Sequence, residues 1–134
     1  MSKCQKIRPT GTYSGKQGFE YFEGISRETA GASSICLHLL TIPPKGRGRA
    51  HLHAGHETAI YMLQGTTVMW WGNRLENRME VHAGDFVFIP AGMPHLPMNP
   101  SEGEAVAVVA RSDPHEQESV LLLPELETEM LTPI

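Results

Sequence analysis

The stretch that decides the fold runs from Gly84 to Asn99 and reads GDFVFIPAGMPHLPMN. Gly84 turns the chain into the β-forming segment 85–89, and a tight turn at 90–92 ends that segment. The turn favours a positive φ at Gly92 and delivers His95 to the start of a returning strand. The stretch therefore predicts two short strands joined by a turn, with one imidazole where the second strand begins.

A second group of histidines lies upstream, in the segment His51-Leu52-His53. Residues two apart in a β-strand face the same side, so these two rings lie about 7 Å apart along the strand and can bind one ion together. His56 and Glu57 follow closely. The two segments together supply imidazoles and a carboxylate, which is sufficient to bind a divalent transition metal.

The two motifs differ in how specific they are. A His-x-His pair arises by chance roughly one time in three in a chain with this many histidines. The glycines, proline, histidine and asparagine of the Gly84–Asn99 stretch occur together by chance on the order of once in ten thousand such chains. The downstream motif therefore supports the metal-site interpretation of the upstream one.

The rest of the chain is cut into short pieces by thirteen glycines and ten prolines. The pieces are rich in β-forming residues, and no helical periodicity is sustained over three turns. This pattern predicts an all-β sandwich or barrel with about eight antiparallel strands. The predicted strands are 35–42, 59–63, 66–71, 78–82, 85–89, 95–99, 105–111 and 119–123.

These motifs resemble those of the cupins, small all-β proteins with a double-stranded β-helix (jelly-roll) barrel. The second cupin motif, G-x5-P-x-G-x2-H-x3-N, is matched at all five positions of the Gly84–Asn99 stretch. The first, G-x5-H-x-H-x3/4-E-x6-G, is matched by His51, His53 and Glu57 and is closed by Gly65. The resemblance covers residues 35–111 and is strongest to small single-domain bacterial cupins of the RmlC-like type.

The first motif departs from the cupin pattern in its spacing. The leading glycine is displaced by one position to Gly46, and seven residues rather than six separate Glu57 from Gly65. The position that usually carries the carboxylate therefore holds Thr58, a poor metal ligand. His56 has the same parity as Thr58 and could point inward, whereas Glu57 needs a β-bulge or an irregular loop to do so.

The resemblance implies a metal site built from both motifs. The ion would be Fe, Mn, Ni or Zn, because imidazole suits all four of these divalent metals. Glu57 is the predicted fourth ligand and His56 is the alternative to it. The predicted ligands are therefore His51, His53, Glu57 and His95.

The charge composition of the chain indicates which kinds of binding partner are unfavourable. The chain of 134 residues has a formal net charge of −4 and no basic cluster, which argues against nucleic acid or an anionic membrane surface as a partner. The first residues lack the apolar core of a signal peptide, and no apolar run is long enough to span a membrane. Cys4 and Cys36 are expected to be free thiols. We therefore expect a cytoplasmic protein.

The length predicts a single domain, 1–134. Its parts are an N-terminal arm at 1–24, the barrel core at 35–111, and a tail at 125–134 that is a short helix or a loosely attached end. The arm is too short to fold alone, so its aromatic residues are expected to bury against the barrel or against a neighbouring subunit. Because paired subunits are usual in the family that the chain resembles, we expect a homodimer with the segment Tyr13–Phe22 at the contact.

Two classes of function fit these features. The first is a metal-dependent enzyme of dioxygenase, isomerase or lyase type that acts on a small oxygen-bearing organic molecule. The second is a non-catalytic module that binds a small molecule beside a structural or ligand-holding metal. Tyr61 and His38 are the candidates for proton transfer. Phe86 and Phe88 are predicted to belong to the barrel core and to line the cavity.

Overall fold

The computed structural model describes residues 3–8, 12–16, 18–115 and 119–130. Over these residues the chain forms eleven short strands and two short helices. The strands are β1 (Thr12–Ser14), β2 (Glu20–Ile25), β3 (Cys36–Ile42), β4 (His51–His53), β5 (Thr58–Gln64), β6 (Thr66–Trp71), β7 (Asn77–His82), β8 (Phe86–Ile89), β9 (His95–Met98), β10 (Ala105–Arg111) and β11 (Val120–Leu122). The helices are α1 (Arg27–Ala30) and α2 (Pro124–Met130).

The strands form two antiparallel sheets. One has six strands in the order β1-β2-β3-β10-β5-β8, and the other has five in the order β11-β4-β9-β6-β7. Strands far apart in sequence are neighbours, as where β10 lies between β3 and β5. This topology is that of a jelly roll. The predicted all-β, double-stranded β-helix architecture is confirmed. None of the helices described here is long and apolar enough to cross a membrane.

The core lies between the two sheets and follows the alternation of each strand. In β10, Ala105, Ala107, Val109 and Arg111 are buried and the residues between them are half-buried. Strand β3 alternates in the same way, with Cys36, His38, Leu40 and Ile42 buried. Strand parity therefore places His38 and Arg111, both polar, on the inner side of the six-stranded sheet.

The prediction that Phe86 and Phe88 lie in the core is wrong. Their side chains are 81% and 60% exposed, whereas Val87 and Ile89 between and beside them are buried. Successive residues of a strand face opposite sides, so β8 directs its smaller side chains inward and its phenylalanines outward. Tyr61 is half-buried, and its ring centroid lies 4.7 Å from that of Phe86.

The N-terminal arm is part of the six-stranded sheet. Strand β2 pairs with β3, and β1 pairs with β2 at the edge. Phe19 and Tyr21 are 3% exposed and belong to the main core cluster. These two aromatic residues thus bury against the barrel of their own chain. The side chain of Tyr13 lies outside the described residues.

The C-terminal segment docks on the other sheet. Leu126 of α2 packs against a small cluster of Ala50, Leu75 and Leu96, and a Glu127 carboxylate oxygen accepts a hydrogen bond from the Ala50 N–H at 3.3 Å. Of the two alternatives predicted for the tail at 125–134, the described part forms the short helix α2, and residues 131–134 lie outside the described residues. The helix thus covers the chain just before the first histidine of the upstream motif.

Candidate metal centre

Three histidines meet inside the barrel. His51 and His53 lie on β4, and His95 begins β9, where it is paired with His51 across the two strands. Each of the three side chains is buried, and one candidate ligand atom from each lies within 4.8 Å of the others. The ring centroids of His51 and His95 are 4.2 Å apart. Strand alternation and sheet pairing therefore bring together the three histidines that the sequence predicts as ligands.

The turn before His95 connects the two motifs. Gly92 has a φ of 74°, as predicted, and its N–H donates a hydrogen bond to the carbonyl oxygen of His53 at 2.9 Å. This bond fixes the downstream turn against the upstream His-x-His strand. The turn is therefore a positioning device for the site, which explains why glycine occupies this position.

Hydrogen bonds orient two of the rings. His51 Nδ1 lies 2.7 Å from the carbonyl oxygen of Arg49, and His95 Nδ1 lies 2.9 Å from that of Met93. A carbonyl oxygen only accepts, so Nδ1 carries the proton in both rings and Nε2 keeps its lone pair. Metal-bound histidines are commonly held in this way.

The ring of His53, unlike those of His51 and His95, has a buried nitrogen without a hydrogen-bond partner among the described residues. His53 Nδ1 is buried and makes no hydrogen bond to the residues that the structure describes. A buried polar atom without a partner is costly, and an ion or a bridging water at this ring relieves that cost. The donor set and this nitrogen together fit a bound divalent transition metal.

The electrostatics keep all three rings neutral. Burial lowers the pKa of His95 to about 4, with a smaller effect from the charge of Arg111. Burial also lowers the pKa of His51 and His53 well below the usual range; the His95 charge adds to this effect at His51 and the Arg111 charge at His53. Neutral imidazoles bind a metal without first losing a proton near pH 7.

Glu57 and His56 lie outside this group. The Glu57 side chain is exposed, and its backbone N–H donates to Ser112 Oγ at 2.9 Å. His56 Nδ1 lies 2.6 Å from the Ser112 carbonyl oxygen, and its Nε2 lies 3.8 Å from an Asp113 carboxylate oxygen. The structure therefore does not bring either candidate for the fourth ligand to the three histidines, and the role of Glu57 stays a prediction.

Thr58 and Arg111 occupy the inner position instead. Thr58 is 2% exposed, and its Oγ1 accepts a hydrogen bond from Arg111 Nε at 3.2 Å. The two residues are paired across β5 and β10. Sequence reasoning missed Arg111, although the signal was available. It continues the inward parity of Ala105, Ala107 and Val109.

A small cavity of about 60 Å³ adjoins the histidines. Its walls are mostly aliphatic, and none of the described residues lining it is an Asp or a Glu. Neither Tyr61 nor His38 lines it, but Tyr21 does. The lining residues are Tyr21, Leu40, Ile42, His51, His53, Thr58, Ile60, Met62, Thr67, Met69, Val81, Val87, Ile89, His95, Pro97, Ala107, Val109 and Arg111.

His38 provides a prediction about pH that does not depend on the metal. Burial, together with the charge of Arg111, lowers its pKa from 6.5 to about 3. As the pH falls, the unfolded chain binds a proton at this residue first, so stability that is complete above pH ~6.5 is lost towards pH ~3. Between pH 7 and 4.5 the unfolding free energy of the metal-free protein should therefore fall by about 2–3 kcal/mol relative to that of His38→Gln.

Urea denaturation of both metal-free proteins across this pH range measures the difference. His82→Gln, at an exposed histidine, keeps His38 and serves as the matched control: its unfolding free energy should fall between pH 7 and 4.5 as that of wild type does. A difference between wild type and His38→Gln that stays constant with pH would contradict the prediction.

Comparison with known proteins defines the class. The family model described as "Cupin domain" matches residues 38–111, which is more than half of the chain. The chain therefore belongs to the cupin family. No curated protein sequence matches it.

Solved structures with the same fold include enzymes. The chain is similar to an oxalate decarboxylase of Lactobacillus farciminis in complex with formate, with 19% identity and a TM-score of 0.71 over 91% of this chain and 35% of that one. It is also similar to the polyketide cyclase RemF of Streptomyces resistomycificus, with 22% identity and a TM-score of 0.67 over 98% and 94%. At these identities the likeness shows the fold alone, and the chain spans about a third of the decarboxylase.

Proposed function

We propose that this cupin is a metal-dependent enzyme acting on a small oxygen-bearing organic molecule. The observation that carries the proposal is the convergence of three buried, neutral imidazoles on one side of a cavity. Three protein ligands are typical of catalytic sites, because they leave positions open for water or substrate, whereas structural sites are usually closed by four. His51, His53 and His95 would hold the ion.

The ion would be Fe, Mn, Ni or Zn, since imidazole nitrogen suits all of them. An oxalate decarboxylase of Bacillus subtilis with the same fold has Mn(II) centres; it shares 18% identity, with a TM-score of 0.70 over 87% of this chain and 30% of that one. When bound, such an ion supplies Lewis-acid polarisation of a substrate oxygen or redox chemistry. Metals of this set support the dioxygenase, isomerase and lyase reactions that we regard as the candidate types.

The chain's own residues contribute positioning and exclusion of water. The carbonyl oxygens of Arg49 and Met93 fix the tautomers of His51 and His95, so each ring presents the same nitrogen to the site. The mostly aliphatic cavity walls offer few polar groups to water, and a less polar surrounding strengthens the electrostatic interactions inside. These are the features of a site built to polarise a small ligand.

A second candidate function is a binding module without turnover. It is favoured by the absence of a carboxylate among the described lining residues, because Asp and Glu are common proton-transfer groups. Tyr21 is the remaining hydroxyl donor on the wall apart from the threonines, and burial raises its pKa further above the usual value of a tyrosine. Such a phenol is a poor base near pH 7.

Turnover and binding measured on the same panel distinguish the two candidates. The protein is reconstituted separately with Fe, Mn, Ni and Zn and offered small oxo-acids, hydroxy-acids and catechol-like compounds. We expect turnover with at least one metal, and its loss in His53→Ala but not in the surface control His82→Ala. Tight binding without turnover under every metal would favour the binding module. A lack of affinity for all four metals would overturn both candidates.

We also propose a homodimer, formed through the outer face of the six-stranded sheet. Leu63, Phe86 and Phe88 are between 50% and 81% exposed there, and Ile35 beside them is 57% exposed. Ile35 and Phe88 line one surface groove, exposed apolar side chains gathered on one face mark an interaction site, and two-fold dimers are the commonest assembly. The predicted participation of the segment Tyr13–Phe22 is retained only for β1 and the outward side of β2, since Phe19 and Tyr21 are buried within the chain.

Light scattering at micromolar concentration tests the dimer. We expect the mass of two chains for wild type and of one chain for the double variant Phe86→Ser, Phe88→Ser, with unchanged circular dichroism. A monomeric wild-type protein would refute the proposal.

The cytoplasm is our proposed location. Cys4 and Cys36 are both free thiols in the structure, which suits a reducing compartment. Recovery of the protein outside the cytoplasmic fraction of its own cells would contradict this.

A further inference from the structure

Arg111 places a positive charge inside the cavity. Its side chain is 5% exposed and lines the same cavity as the three histidines. It ends β10 between its partners Thr58 on β5 and Cys36 on β3. A guanidinium remains protonated in proteins, so this is a permanent charge.

The positive charge of Arg111 lies beside the position at which the cupin motif has a carboxylate. Counted from Gly65, the carboxylate position of the first motif holds Thr58, and the Thr58 hydroxyl binds Arg111 Nε. Asp113, a buried carboxylate, also acts on Arg111, but it does not line the cavity and lies 3.8 Å from His56. Among the described lining residues, the formal charge is therefore that of one guanidinium.

The buried positive charges determine which charge is favourable on a ligand in this cavity. Three neutral imidazoles offset none of the charge of a divalent ion, so an ion bound there would add two positive charges to that of Arg111. Buried charges are costly unless they are paired and hydrogen-bonded. A ligand that enters this cavity is therefore stabilised most if it brings negative charge.

We propose that the ligand is a small carboxylate and that Arg111 is the residue that selects it. This inference rests on the proposed function, in which the three histidines hold an ion in the same cavity. The planar guanidinium matches the two oxygens of a carboxylate, and such charge-assisted pairs are among the stronger hydrogen bonds. The cavity volume of about 60 Å³ restricts the ligand to a few heavy atoms.

Thr58 is the positioning residue in this arrangement. Its Oγ1 accepts the hydrogen bond from Nε and thereby fixes the plane of the guanidinium. Thr58→Val keeps the shape and removes this acceptor. We expect this variant to keep a preference for anions and to bind the carboxylate more weakly than wild type does.

The test compares ligands of equal size that differ in charge. Glycolate and glycolamide are titrated by calorimetry into zinc-loaded wild type, zinc-loaded Arg111→Lys and Arg111→Gln, and the metal-free wild type. Wild type should prefer glycolate about tenfold or more, the size expected for hydrogen bonds to charged groups. Arg111→Lys should keep a larger part of this preference, whereas Arg111→Gln should keep only the part that is due to the zinc charge, while its zinc content stays at the wild-type level. The metal-free wild type should still prefer glycolate, because the charge of Arg111 remains.

The outcomes separate this proposal from the one on which it rests. Equal binding of glycolate and glycolamide by zinc-loaded wild type would overturn the role of Arg111 and leave the metal site intact. A wild type that binds no zinc would overturn the metal site, and a preference for glycolate in the metal-free protein would then still support Arg111. If Arg111→Gln does not fold, the metal-free wild type decides the matter: a preference for glycolate there supports Arg111, and equal binding of the two ligands overturns its role.

Discussion

Replacing Asn99 with alanine is expected to lower the free energy of unfolding by about 3 kcal/mol. Asn99 is completely buried, and its Nδ2 donates to the carbonyl oxygens of Ile42, Pro43 and Gly103 at 3.1, 3.2 and 2.7 Å. Its Oδ1 accepts from Ser101 N and Oγ at 2.9 and 2.8 Å. Alanine would remove these five hydrogen bonds, although Pro43 O and Gly103 O would still accept from Gly46 N–H and Ser101 Oγ. The last residue of the downstream motif is thus structural.

Chemical denaturation of Asn99→Ala measures this loss. Asn73→Ala, at an exposed turn, is the matched control and should change stability by less than about 0.5 kcal/mol. A loss of under about 1 kcal/mol for Asn99→Ala would contradict the role assigned to these hydrogen bonds.

The variants His53→Ala and His95→Ala are expected to lose the ion and keep the barrel. Each removes one of three ligands, so affinity should fall by about two orders of magnitude or more. The main core cluster consists of hydrophobic side chains that are unchanged in both variants, so we expect it to hold the barrel together without either histidine. Metal analysis after dialysis and circular dichroism on the same samples measure the two effects.

Three matched variants sharpen the result. The exposed His82→Ala should retain wild-type metal content, because this side chain does not belong to the three-histidine group. Glu57→Ala and His56→Ala, compared side by side, test the predicted fourth ligand: loss of metal in Glu57→Ala alone would support the carboxylate that the cupin motif implies, and loss in His56→Ala alone would support its alternative. Metal content that survives both His53→Ala and His95→Ala would rule the site out.

Most of the barrel could be predicted from the sequence because glycine and proline mark its turns. Eight of the strands described lie within one or two residues of the predicted segments; β10 at Ala105–Arg111, for example, matches at both ends. The predicted convergence of His51 and His53 followed from strand parity alone, and both side chains are buried on one side of β4. Rules that use only neighbouring residues therefore sufficed where glycine or proline marks the turn and where buried and exposed residues alternate along the strand.

Local rules failed where a partner strand decides the structure. The polar, glycine-rich segment 12–25 forms β1 and β2 only because the edge of β3 is available to pair with it. The apolar character of Phe86 and Phe88 predicts a core position, but the strand register after Gly84 turns them outward. The sequence left the fourth ligand open because the segment between Glu57 and Gly65 is one residue longer than the cupin motif. A shift of one residue along a strand turns a side chain to the opposite side of the sheet, and the side that each residue takes here is set by the pairing of β5 with β10.

X-ray absorption spectroscopy of the metal-loaded protein tests the central claim most directly. The three-histidine group predicts a first coordination shell with three imidazole ligands and the remaining positions filled by oxygen. His95→Ala, loaded to the extent that its weaker affinity allows, should show two. Fewer than three imidazoles in wild type, or the same spectrum for wild type and His95→Ala, would contradict the account.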